Sequence, residues 1–367
     1  MTDTGERRRA VGFGKGDVRL IAGCALALVA AGVTRYVGAG EVVPFVVSAI
    51  ALAVLASLVG RSVEALGDRL GAGATGVVQS ALGNLPELMV SLFALHAGLY
   101  SVVRASIVGS VLANVLLVLG LSFVVGGLRH GNQRFGAEAA RTLSLLLVLA
   151  VLALLVPSLT ASLHTPANGH EKALSVVVSV VLLALFALSL PASIRRQRGG
   201  GTAEPAAAPA EHGGADWSLP VALGMLAATG VGAALVSDWF VHALEPAMKS
   251  LGISQAFAGL VIVAIAGNAV ENVVGVQLAA KNQADYALQV IMQSPLQIAL
   301  VVAPVLVLVA PLVGASFTLV LPPLLIAALL MAVLVTVLVV LDGESNWLEG
   351  ATLIALYAVI ATAFWWG

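Results

Sequence analysis

The stretch AIAGNAVENVVGVQLAAKN, Ala264–Asn282, decides the fold. It is apolar enough to lie in a bilayer, yet its middle carries an amide, Asn268, and an acid, Glu271. A second stretch, ALGNLPELMVSLFALHAG at Ala81–Gly98, repeats the Gly-Asn pair with a glutamate three residues beyond the asparagine. At an offset of 184 residues, Gly83 falls on Gly267, Asn84 on Asn268 and Glu87 on Glu271, and the same offset carries Ser110 onto Ser294. A charged side chain at the centre of a bilayer costs at least ~2.5–3.5 kcal/mol on insertion scales. A matched pair of such acids therefore marks function.

Working outward, composition decides the solvent. Of 367 residues, 60% are hydrophobic and 10% charged, and the mean hydropathy is +1.03. This describes a multi-pass membrane protein, because a water-soluble surface needs far more charge. The net charge of −1 and the lack of a basic cluster argue against a nucleic-acid partner. The single cysteine, Cys24, excludes an internal disulfide. Arg7, Arg8 and Arg9 precede an apolar run over 20–37 with no small-residue cleavage site, which reads as a retained first helix rather than a signal peptide.

Windows of about 20 apolar residues predict eleven spans, near 19–37, 42–60, 72–97, 101–126, 138–158, 171–191, 218–240, 252–280, 285–313, 316–341 and 346–366. Tyr36, Tyr100, Trp239, Trp347, Trp365 and Trp366 fall at span ends, as interfacial aromatics do. With the N-terminus in the cytoplasm, fourteen Lys and Arg lie on the inner side and four on the outer, so the positive-inside rule predicts an inner N-terminus and an outer C-terminus. The Gly-, Pro- and Ala-rich segment 195–217 reads as a flexible cytoplasmic linker.

The expected fold is all-α: an N-terminal tail and first helix over 1–41, a five-helix repeat over 42–194, the linker, and a second five-helix repeat over 218–367. An odd number of spans per repeat inverts the second copy in the membrane. Secondary transporters use this plan, with the binding site at mid-membrane between the halves.

On a continuous helix, Ser80, Asn84, Glu87 and Ser91 share a face, and Asn268 with Glu271 repeats the core of that stripe. In the following spans Ser106, Ser110 and Asn114 form one polar line, and Gln289, Gln293 and Gln297 form another with Ser294 beside it. The donors are carboxylates, amides and hydroxyls, which suit a hard cation such as Ca²⁺. Zn²⁺ or Cu⁺ would want His or Cys, and the stripes hold neither. Pro86 and Pro295 are expected to free the carbonyls of Leu82 and Ile291 as further ligands. Burial disfavours a charged carboxyl, so two such acids are neutralised either by one divalent cation or by protons, the simplest basis for cation/proton antiport. Asp238 and Glu245 are placed to gather cations at the outer end of span seven, and Asp285 reads as a helix N-terminal acid. Asp342, Glu344 and Glu349 make the last inner loop acidic, either as a solvated turn or as a weak cation attractor, and His96 reads as interfacial.

At these residues the sequence resembles the calcium/proton exchangers of the cation/calcium exchanger superfamily. GNLPELMVSLFALHAGLYSVVRASIVGSVLANVLLVLGLSFVVGG is similar to the first signature repeat of that family, and GNAVENVVGVQLAAKNQADYALQVIMQSPLQIALVVAPVLVLVA to the second. The resemblance runs from about residue 42 onward. It implies alternating-access exchange of Ca²⁺ for protons, with Glu87 and Glu271 as the alternating acids. It also implies Asn84, Asn268, Ser110, Ser294 and Gln297 along the cation path. Ca²⁺ and protons are then substrates, no cofactor is expected, and the setting is a prokaryotic cell membrane. Asn272 stands where the family commonly has histidine, and Pro86 is similar to the sodium-coupled pattern. A sodium- or potassium-coupled calcium exchanger, or a monovalent cation/proton antiporter on the same scaffold, stays open. No H-E-x-x-H and no Ser-His or Cys-His arrangement at depth suggests an enzyme.

Overall fold

Long apolar runs without charge fold in a bilayer as helices, because only a helix satisfies its own backbone there. The computed structural model describes residues 13–70, 82–167, 169–198 and 217–366 and is helical almost throughout. The helices are α1 (Lys15–Val37), α2 (Val42–Leu70), α3 (Leu85–His96), α4 (Tyr100–His130), α5 (Ala137–Ser162), α6 (Glu171–Arg198), α7 (Leu219–Leu251), α8 (Gln255–Gly267), α9 (Ala269–Ala280), α10 (Ala284–Val313), α11 (Pro323–Val340) and α12 (Trp347–Trp365). Among the described residues nine are long and apolar enough to cross a membrane, and α8 with α9 makes a tenth span, bent by 64°. α3 is a shorter apolar helix, and the expected count of eleven is compatible with these elements.

Several boundaries differ from expectation. α2 runs ten residues past 60, and α7 runs to Leu251, so Asp238 and Glu245 sit within a helix. α6 continues through Arg198, which shortens the expected linker; 199–216 lie outside the described residues, as do Ser80 and Arg7–Arg9. The apolar run at 316–322 is not helical. Pro322 and Pro323 set the start of α11, since proline fits the first turn of a helix and breaks one elsewhere. The extended segment before them is satisfied by serines of neighbouring spans. Ser175 Oγ accepts from Leu319 N (3.0 Å), while Ser158 Oγ accepts from Leu321 N (2.8 Å) and donates to Leu319 O (2.9 Å).

The 184-residue offset is visible in the helices. α3 begins at Leu85 and α9 at Ala269, each twelve residues long, while α4 begins at Tyr100 and α10 at Ala284. α4 carries a π-helical turn at Ala113–Val118, and α10 carries one at Ile298–Val302. Pro295 stands just before the second turn, but Val111 occupies its place before the first, so proline does not cause this feature.

Connections gather at two rims. The first rim holds the start of α1 and the loops 131–136, 281–283 and 341–346. There β1 (Gln133–Arg134) pairs antiparallel with β2 (Glu344–Ser345), and Arg134 meets Glu344 at 2.9 Å. Gln133 Nε2 donates to Ala279 O (3.1 Å) and Asn282 Oδ1 (3.0 Å), and the Asp285 carboxylate accepts from Gly136 N. Asp342 and Glu349 cap local turns of the acidic loop 341–346: Glu344 N donates to Asp342 Oδ1 and Asn346 N to Glu349 Oε2. At the same rim Asp17 ties α1 to Arg61 of α2 (3.0 Å) and to Trp217 before α7 (3.1 Å). The second rim holds 38–41, 97–99, 163–170, 252–254 and 314–322, and there His96 Nδ1 lies 3.1 Å from Val313 O. This partition matches the alternation expected from the span order. Outward faces are apolar: Leu145, Leu149, Leu152 and Val156 line one exposed stripe of α5, as a lipid-facing helix requires.

Candidate functional site

Both Gly-Asn pairs break their spans, and this break builds the site. Asn84 caps α3 at φ −91°, ψ 18°, and Asn268 caps α9 at φ −104°, ψ 21°, neither of them helical. Glu87 and Glu271 therefore occupy the same place, the third residue of a half-helix, where the positive end of the helix dipole favours an acid. This revises the proline reading. Pro86 lies in the first turn of α3, where its missing N–H would be unpaired anyway, and the second break forms with Val270 at that position. The last carbonyls of α8 are further ones that a helix end leaves without intrahelical donors; Ala264 O is taken by Asn268 N (3.2 Å) and Asn268 Nδ2 (2.9 Å).

From these ends a buried network joins the halves. Ser110 Oγ of α4 donates to Glu87 Oε1, and Asn268 Nδ2 donates to Ser110 Oγ (3.0 Å). Ser294 Oγ of α10 donates to Asn268 Oδ1 (3.0 Å), and Asn84 Nδ2 donates to Gln297 Oε1 (2.8 Å). Two of these links run from a first-half residue to a second-half residue. Asn84, Glu87, Ser110, Asn268 and Ser294 are buried, and Gln297 is partly so. Glu87 Oε2 and Asn114 Oδ1 lack a partner. An uncompensated buried oxygen of this kind is costly and invites a ligand.

Six of the seven residues expected at the site are thus hydrogen-bonded to another of them, in the chain Glu87–Ser110–Asn268–Ser294 and the pair Asn84–Gln297, and Glu271 lies one turn beyond Asn268 on α9. Glu271 is only partly buried, and Gln293 of α10 is exposed. The Gln289–Gln293–Gln297 line therefore contributes only Gln297 to the network. At the second rim Asp238 is paired with His242 (3.2 Å) and Glu245 with Lys249 (2.8 Å), all on the exposed side of α7. Asn114 is the residue the sequence reading underused. It is fully buried and donates to Ser110 O (2.8 Å) and Asn268 Oδ1 (3.4 Å). Its signal was its place one turn after Ser110. Gly267 also goes unsignalled as a wall of the site: a Cβ there would touch Glu87 Cβ at 3.4 Å.

Among the described residues no three His, Cys, Asp or Glu side chains cluster. A cation held here relies on two acids supplemented by neutral amide and hydroxyl oxygens, a donor set for a hard ion.

The sequence pattern of the family described as "Sodium/calcium exchanger protein" matches residues 41–195 and 221–366. The chain belongs to that family. Among its exchanger relatives, the Ca(2+)/H(+) antiporter ChaA of Bacillus subtilis (strain 168) is 38% identical over 320 residues, 87% of this chain and 91% of the relative. The Ca(2+)/H(+) antiporter of Synechocystis sp. (strain ATCC 27184 / PCC 6803 / Kazusa) is 36% identical over 349 residues, 90% of this chain and 92% of the relative. In three dimensions this exchanger is similar to native YfkE, with a TM-score of 0.79 at 33% identity, covering 94% of this chain and 99% of that one.

Proposed function

We propose that this protein exchanges Ca²⁺ for protons across a prokaryotic cell membrane, with its first rim in the cytoplasm. The observation that carries the reading is the single oxygen-lined centre to which both copies of the motif contribute, with Glu87 and Glu271 at the starts of two half-helices. The names of relatives at 38% and 36% identity support the choice of substrates. The proposed ligands are Glu87 and Glu271, with Asn84, Asn268, Ser110, Ser294 and Gln297 completing the shell.

In this mechanism the two acids hold the cation while water is excluded. When the cation leaves, protons replace it, because two carboxylates in a dry centre cannot both stay charged without a counter-ion. Each occupant neutralises the centre, and the neutral centre is the one that reorients between rims at low cost. Neither ion then crosses without the other being exchanged.

The test is Ca²⁺ uptake by purified protein in liposomes after an imposed pH jump, without sodium or potassium. Uptake should require the pH gradient and should be lost in both Glu87→Gln and Glu271→Gln. Uptake driven only by a sodium gradient would overturn the proton coupling, and no Ca²⁺ movement under either gradient would overturn the substrate.

A further inference from the structure

Beyond the central network, α3 and α4 carry a second polar level that the exchange reading leaves unused. The two helices are antiparallel neighbours joined by the tight turn at 97–99. Their register is set by the contact of Ser110 with Glu87. One helical turn toward the second rim, the same register brings Ser91 of α3 level with Ser106 of α4, since residues four apart share a helix face. Ser91 is 2% exposed and its Oγ has no partner. Ser106 is 1% exposed; its hydroxyl proton goes to Val103 O (2.9 Å), leaving its oxygen lone pairs as acceptors. Glu87 Oε2, one level deeper, is also unpaired and buried.

Beyond this level α3 ends at an open cleft of about 470 Å³ at the second rim, lined by Glu41, Ala97, Leu99, His242, Glu245 and Lys249. The second half has no counterpart to the serine level. The 184-residue offset puts Gly275 and Val290 at those positions, and a Cβ on Gly275 would sit 2.5 Å from Ile291 Cγ1.

We propose that Ser91 and Ser106 form a transient cation subsite on the second-rim side of Glu87. A partly dehydrated divalent cation is held there by the two hydroxyl oxygens and Glu87 Oε2 on its way between the centre and the cleft. The subsite replaces water that the ion has already shed, and it supplies oxygens that the structure otherwise leaves buried and unpaired. The inference rests on the Ca²⁺/H⁺ reading.

The experiment uses sealed membrane vesicles of both orientations containing the full chain, with the KM for Ca²⁺ measured at each rim under a fixed pH gradient. Ser91→Ala and Ser106→Ala should each raise the KM for Ca²⁺ offered at the second rim by about tenfold, the scale of one oxygen contact to a charge. The KM at the first rim should be unchanged, and Ser91→Thr, which keeps the hydroxyl, should behave as wild type. Equal shifts at both rims would mean that the serines only shape the centre, and unchanged KM at both would mean that they bind nothing; either result overturns the subsite. Failure of the wild-type vesicles to move Ca²⁺ under the pH gradient would instead overturn the exchange reading itself.

Discussion

The two motif copies hold the same residues at the same helical positions, yet they are not equally sealed. Glu87 is 2% exposed, accepts from Ser110 and packs against the backbone of Gly267. Glu271, its counterpart, is partly open, and so is the helix beside it, where Gln293 is exposed. Part of the cause lies in that pair of counterpart positions. Gly109 of α4 lets the backbone of α8 approach so closely that a Cβ would fall 2.2 Å from Leu260 O, and Gly259 returns the contact against Val102 O. Glutamine at 293 offers no such approach. These two glycines let α4 and α8 close against each other beside Ser110. The two acids of a pseudo-symmetric site are thus unequally covered.

The sharpest way to break this comparison is chemical access. With Cys24→Ala as background, Gln293→Cys should react readily with a small charged thiol reagent, whereas Ser110→Cys, fully buried and next to Gly109, the counterpart of Gln293, should stay unlabelled in intact membranes. Equal labelling would mean that the halves are equally open.

The next effect is on stability. Gly109→Ala forces a methyl into backbone that cannot move aside and should cost roughly 1–3 kcal/mol or more. Gln293→Ala at the counterpart should stay within about 0.5 kcal/mol. Unfolding of the detergent-solubilised protein, followed by helical signal, separates the two.

A smaller contrast concerns the paired serines. Ser110 serves Glu87 directly, whereas Ser294 reaches only Asn268. Ser110→Ala should therefore weaken Ca²⁺ binding by roughly tenfold and Ser294→Ala by only about threefold, from the difference between charged and neutral hydrogen bonds. Equilibrium Ca²⁺ binding to the purified protein checks the order. The least effect is expected from Pro86→Val, which copies the second motif into the first: exchange rate and affinity should change by less than about twofold, because a proline in the first helical turn replaces an N–H that has no partner. A large loss would restore the proline as the cause of the break.

Much of this was legible in the residues. The class of protein and the sequence repeat that matches Glu87 with Glu271 follow from hydropathy and from a constant offset. The boundaries were less legible. Residues 316–322 are as apolar as any span, and only the serines of α5 and α6, distant in sequence, reveal that this backbone is satisfied without a helix. A continuous helix would put Asn84, Glu87 and Ser91 in one stripe, but the break at Gly-Asn makes Asn84 a cap. That Asp238 and Glu245 each have a partner one turn further along α7, His242 and Lys249, emerges only once α7 extends to Leu251.

The sequence by itself determined that this chain lives in a membrane, that it is built twice, and that each copy brings one acid to the interior. Those conclusions rest on composition and repetition, which are one-dimensional. Only the tertiary structure decided which oxygens meet across the halves and which acid is sealed. Those outcomes depend on how closely two helices can approach, and that distance is set by pairs of residues such as Gly109 and Leu260, 151 positions apart in the chain.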